Sequence, residues 1–224
     1  MTAGAAVAVL APARNLFLPV EAIPQWLPAD RAGQILAYAI ENESRFTPGS
    51  VLYEGDRKVD LQFRRTLVLR TLGEFEPLLR EAAASSLPSL ERAMGISPFP
   101  VQHYEIELAA HGDGALFKKH IDTFVGASRR LSTRVLTLVY YLNREPKAYR
   151  GGSLRMYSVG GRQVRDLEPQ HNLLVAFPSC APHSVEEVHC PSREFADSRF
   201  AVNLWIHRQA PGPPAADLLR EENT

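Results

Sequence analysis

The sequence is short of the features that staple a small fold or bind a polyanion. Among its 224 residues are two cysteines, Cys180 and Cys190. That is too few for the disulfide framework of a small secreted domain, and they lack the paired spacing of a zinc knuckle, so they read as free thiols. There is no excess charge of either sign, with 25 Lys and Arg against 25 Asp and Glu. Without a basic field, neither a nucleic acid backbone nor an anionic membrane surface is an expected partner. No run approaches the ~18 apolar residues of a membrane-spanning helix. The Ala-rich stretch 3–13 has no preceding Lys or Arg to make it a signal segment, and reads as a frayed tail or edge strand. The expected location is the cytoplasm. Repeats and low-complexity linkers are also missing, which leaves one domain over 1–224 as the expectation.

What is present is enough for an ordinary core. Hydrophobic residues make up 45% of the chain, and a domain of this length buries roughly 70–75% of its unfolded surface, so no metal is needed simply to fold. Any metal site would then serve chemistry. The first hundred residues read mainly as helical support. Pro28 and Asp30 open a segment with Ala32, Ile35, Leu36, Ala39 and Ile40 at helical spacing. A second helix fits 74–84, and Pro88 after Ser85 and Ser86 opens a third, short one ending at Gly95. From about 101 to 208 the period becomes two, with strands expected at 101–110, 134–142, 153–158, 172–177 and 200–207, and a C-terminal tail at 209–224. Helices first and strands afterwards give an α+β class, the helices packed on one face of a mostly antiparallel sheet or open barrel.

Three residues suggest a metal centre. His120 and Asp122, two apart on an extended segment, point to one side with Cα atoms roughly 6–7 Å apart. His183 follows a strand end stiffened by Pro178 and Pro182. Two histidines and one carboxylate with open positions form the facial triad of non-haem Fe(II) oxygenases. The remaining histidines, His103, His111, His171, His189 and His207, read as surface or hydrogen-bonded core residues. On the last strand, Arg199, Ala201, Asn203 and Trp205 share one face while Phe200, Val202, Leu204 and Ile206 share the other. The apolar face suits the helices. The guanidinium on the opposite face needs an anionic partner, either a ligand carboxylate or a protein acid such as Asp197 or Glu186. Thr137 and Tyr141 share a strand face, and their hydroxyls either meet the same ligand or simply reflect strand preference.

Beyond these residues, the ordered set His120-x-Asp122, 136–143 (LTLVYYLN), 150–157 (RGGSLRMY), 166–169 (DLEP), 182–185 (PHSV) and 199–205 (RFAVNLW) resembles the Fe(II)- and 2-oxoglutarate-dependent dioxygenases of the prolyl 4-hydroxylase type, including the hypoxia-inducible-factor prolyl hydroxylases. The resemblance implies a double-stranded β-helix, a jelly-roll or cupin-like barrel, with supporting N-terminal helices. It implies Fe(II) on His120, Asp122 and His183, with 2-oxoglutarate and O2 as cosubstrates. Arg199 and Tyr141 match the residues that hold the far carboxylate of 2-oxoglutarate, Thr137 falls where that pocket is lined, and Trp205, with Asn203 beside it, falls near the metal. The implied reaction hydroxylates an unactivated C–H bond and releases succinate and CO2. The chain departs from the family in two places. A tyrosine common some nine or ten residues before the first iron histidine is missing, leaving His111 to replace it or the substrate side to differ. Residues 190–197 form an insertion near the rim.

The substrate is less defined: a peptide or protein, or an amino-acid-derived small molecule. Arg64, in the run Arg64-Arg65-Thr66, belongs either to a lid reaching the substrate or to a solvated strand edge. Two other classes fit the triad: a cupin-type hydrolase or isomerase, which needs neither Arg199 nor Tyr141, and a catalytically silent binding module. Oligomeric state is left open.

Overall fold

A computed structural model describes residues 17–53, 56–123 and 134–209; the 3–13 stretch and the C-terminal tail lie outside them. Three long strands, Val101–His111, Arg134–Leu142 and Arg199–Arg208, form the centre of the molecule. Arg199–Arg208 pairs antiparallel with both of the others, and the sheet reaches seven strands by adding Leu173–Pro178 and Glu21–Pro24 on one side and Leu67–Leu69 and Thr47–Pro48 on the other. A second, five-stranded sheet runs in the order Val164–Leu167, Leu154–Tyr157, His183–Val185, Leu116–His120, Arg64–Arg65. Every strand pairing in the two sheets is antiparallel. This is the double-stranded β-helix, an α+β fold.

The period-two pattern decides which side of the large sheet meets which neighbour. Phe200, Val202, Leu204 and Ile206 pack with Leu136, Leu138 and Tyr140 against two helices, α1 (Ala29–Glu41) and α2 (Phe75–Met94), which contribute Ile35, Ala39, Leu79, Ala83, Leu87 and Leu90. The opposite face, with Val139, Tyr141, Val175, Phe177 and Ala201, closes on Leu154 and Met156 of the small sheet. The site lies between the sheets, beyond this second core. Neither described helix is long and apolar enough to cross a membrane.

The N-terminal hundred differs from its sequence reading in two ways. Among its described residues are six strands as well as the helices, each of two to four residues, too short to show an alternation. The expected second and third helices are one, α2, with Pro88 inside it. Leu79, Ala83, Leu87, Leu90 and Met94 form one buried stripe across the proline, and Pro88 itself is exposed, so the carbonyl that loses its helical donor faces water. Gly95, with φ of 64°, ends the helix as an αL cap.

Candidate active site

His120 ends one strand of the small sheet and His183 begins its neighbour, the two being direct antiparallel partners. Asp122 follows two residues later. The ligand atoms of His120, Asp122 and His183 all lie within 4.8 Å of one another, with each histidine Nε2 3.6–3.7 Å from an Asp122 oxygen. Each ring is fixed from behind: His120 Nδ1 lies 2.7 Å from the Lys118 carbonyl and His183 Nδ1 2.9 Å from that of Ala181. A carbonyl only accepts, so Nδ1 carries the proton and Nε2 keeps its lone pair for a metal. Burial, followed by the nearby His183, pushes His120 down to about 3, and proton competition there is weak at neutral pH.

The carboxylate is held as firmly. Thr137 donates to Asp122 Oδ2 at 2.7 Å and shares a 3.0 Å hydrogen bond with Ser179. The Ser179 carbonyl accepts both the Asp122 and the Thr123 amides, at 2.9 and 3.2 Å. Burial acts to raise the Asp122 pKa, but His183, His120, Arg134 and the Thr137 hydrogen bond outweigh it and hold the pKa below the usual carboxylate value. The turn around 178–182 thus organises two ligands at once, Asp122 through Ser179 and His183 through Ala181. The motifs did not point to Ser179; its signal is its place in that turn.

Across the cavity lies Arg199, 1% exposed. The two protein acids weighed as its partners are engaged elsewhere, Asp197 with Arg144 at 3.2 Å and Glu186 with Arg155 at 2.6 Å. Among the described residues Arg199 Nε and Nη2 find no acceptor, and the buried hydroxyls of Tyr141 and Tyr149 find no partner either. The Arg199 guanidinium carbon sits 4.8 Å from the centre of the Tyr141 ring. Burial raises the pKa of Tyr141 and lifts Tyr149 to about 12, so both stay protonated donors. Tyr149 is a residue that the sequence reading missed, because it sits outside any regular strand pattern. Gly152 explains the turn before Leu154: with φ of 70°, it passes so close that a Cβ would lie 2.8 Å from Arg199 Cδ.

His120, Asp122, His183, Thr137, Arg199, His111, Arg64, Asn203 and Trp205 all line one cleft. Two of them also hold protein partners. The Thr137 hydroxyl lies between Asp122, to which it donates, and Ser179. Arg64 is no solvated strand edge: it is buried, bridged to Glu107, and bonded to Thr66 Oγ1 and the Ser50 carbonyl. The 190–197 segment anchors inward through Phe195, which packs on Phe46 and Phe200 at 5.1 and 5.3 Å.

Residues 106–207 match the family model described as the 2OG-Fe(II) oxygenase superfamily. A PKHD-type hydroxylase of Synechocystis, itself uncharacterised, is 32% identical over 207 residues, covering 87% of this chain; the chain spans 66% of that protein's length. Egl nine homolog 1 of Homo sapiens is 31% identical over 97 residues, 42% of this chain and 20% of that protein. Among solved structures, a prolyl-4-hydroxylase of Pseudomonas putida superposes with a TM-score of 0.63 at 20% identity, over 85% of this chain and 93% of that one. A prolyl hydroxylase of Trichoplax adhaerens, bound to a hypoxia-inducible-factor peptide, superposes with a TM-score of 0.65 at 18% identity, over 92% and 88%. The motif match over residues 106–207, the shared fold and a triad suited to iron agree, and place this region in the 2OG-Fe(II) oxygenase superfamily, whose enzymes use Fe(II), 2-oxoglutarate and O2.

Proposed function

We propose that the protein is a 2-oxoglutarate-dependent hydroxylase acting on a prolyl-type C–H bond of a peptide or protein substrate. His120, Asp122 and His183 hold the iron; Arg199 and Tyr141 hold the far carboxylate of 2-oxoglutarate. The observation that supports this most is the pairing of a preformed two-histidine, one-carboxylate cluster with a buried guanidinium edge lacking an acceptor among the described residues. A buried cation is costly unless an anion joins it. A cupin-type hydrolase would need no such group. Bound iron and 2-oxoglutarate supply the oxidising chemistry. The chain's own residues keep both imidazoles and the carboxylate in one geometry, orient the cosubstrate by its far end, and bury the centre between two sheets.

The prolyl-type substrate rests on the character of the structural neighbours, and the cytoplasmic location and single-domain organisation on the two free thiols, one exposed and one buried, and on the continuous sheets. Incubating the protein with Fe(II), 2-oxoglutarate and a library of proline-containing peptides should give succinate coupled to a gain of one oxygen atom on a peptide. Coupled oxidation of free amino acids with none of any peptide would replace the peptide by a small molecule. Absence of succinate with every substrate would sink the hydroxylase reading.

A further inference from the structure

His111 and Arg199 face each other across adjacent strands, in direct register. His111 Nδ1 lies 3.2 Å from Arg199 Nη1. A guanidinium can only donate, so the imidazole nitrogen is the acceptor, and His111 is neutral with its proton on Nε2. Its surroundings agree: the side chain is fully buried, and burial, followed by Arg199 and Arg64, drives its pKa well below the usual value. The other sides of Arg199 are also fixed, by Gly152 against its stem and by the Tyr141 ring.

This leaves one edge of the guanidinium, Nε with Nη2, without an acceptor among the described residues. Elsewhere in the molecule the same edge shows what it does: Arg155 Nε and Nη2 grip both oxygens of Asp166, each at 2.8 Å. We infer that His111 is a positioning residue that takes Arg199 Nη1 and so presents the Nε and Nη2 edge for two-point binding of the cosubstrate's far carboxylate. This rests on Arg199 being the 2-oxoglutarate anchor. The residue type matters. An acid at 111 would neutralise Arg199 and compete with the cosubstrate for it, whereas a neutral acceptor satisfies one N–H and leaves the charge in place. An apolar ring would leave the guanidinium free to turn.

The test compares His111→Gln, His111→Phe and His111→Glu with wild type in the Fe(II)-loaded, oxygen-free protein. Binding is read from the visible charge-transfer band as 2-oxoglutarate is added, and again with 2-oxobutyrate, which has the same 2-oxoacid head but no far carboxylate. Glutamine should bind 2-oxoglutarate within a few-fold of wild type; phenylalanine should weaken it by about tenfold, as for loss of a hydrogen bond to a charged group; glutamate should weaken it most. Affinity for 2-oxobutyrate should stay level across the series, and His111→Phe should add nothing in an Arg199→Ala background. Equal losses for both 2-oxoacids, or wild-type binding by the phenylalanine variant, would overturn the inference while leaving Arg199 as the anchor. Unchanged 2-oxoglutarate affinity in Arg199→Ala alone would overturn the anchor itself.

Discussion

The two sides of the cleft are built on opposite terms. On the small-sheet side, each metal-facing group has a second partner: His120 on the Lys118 carbonyl, His183 on that of Ala181, Asp122 on Thr137. On the other side, Arg199 and Tyr141 of the large sheet and Tyr149, from the segment after the Tyr141 strand, are buried with donors that nothing described in the chain accepts. The first side is complete before anything binds; under the proposed function the second is completed by its ligand. A metal centre needs ligands oriented in advance; a site for a diffusing carboxylate needs donors kept unsatisfied until it arrives, at a cost to the resting protein.

The sharpest way to break the comparison is Asp122→Ala. Removing a ligand from the complete side should reduce succinate formation by more than about 1,000-fold while circular dichroism and the melting profile remain those of a folded domain, since the fold does not depend on the metal. Thr137→Val should follow, weakening Fe(II) or Co(II) affinity by about 10–100-fold, the range for losing a supporting partner, with less effect on 2-oxoglutarate once metal is saturating. If Thr137 instead lined the carboxylate pocket, the order of those two losses would reverse.

The unsatisfied side should respond in the opposite direction. Arg199→Met removes a buried charge with no acidic partner among the described residues, so the ligand-free protein should become more stable, by about 1–3 kcal/mol in urea unfolding, even as it loses 2-oxoglutarate binding. A loss of stability would mean that the resting guanidinium is satisfied after all. The smallest effect concerns the strut behind Asp122, where Arg134 donates to the Asp122 carbonyl at 3.3 Å and pairs with Glu105 at 2.7 Å. Burial opposes ionisation of Glu105, but hydrogen bonds from His207 and Arg134 bring its pKa down from 4.5 to about 2. A lowered carboxylate pKa contributes stability that is present above about 4.5 and lost as pH falls towards 2. Glu105→Gln should therefore flatten the decline of stability in that window.

Much of this contrast was legible in the sequence, and what was missed has physical causes. The alternation of 199–206 marked both faces of the central strand, because period two is fixed by the backbone. His120, Asp122 and His183 stood out because few side chains bind metals and the motif spacing is tight. Strand parity puts Thr137 on the cleft face but does not name the acceptor that its hydroxyl meets: it says which way a hydroxyl points and not which group crosses the gap, and Ser179, which flanks it, lies 42 residues away. For Arg64 the sequence leaves a lid and a solvated strand edge both open, because its partner Glu107 lies 43 residues along the chain and only the folded register joins them. Pro88 reads as a helix boundary in the sequence, and a continuous buried stripe overrides it.

The central claim, that one side is preformed and the other awaits a dicarboxylate, is tested most directly by an oxygen-free titration. Purified apoprotein would receive Fe(II) and then 2-oxoglutarate, with Arg199→Ala in parallel. The expected result is tight metal binding in both proteins, a visible charge-transfer band in the wild type at low 2-oxoglutarate, and the same band in the variant only at concentrations about 100-fold higher, the loss expected when a buried carboxylate loses its charged partner. Equal bands at equal concentrations, or zinc binding with no response to 2-oxoglutarate, would contradict it.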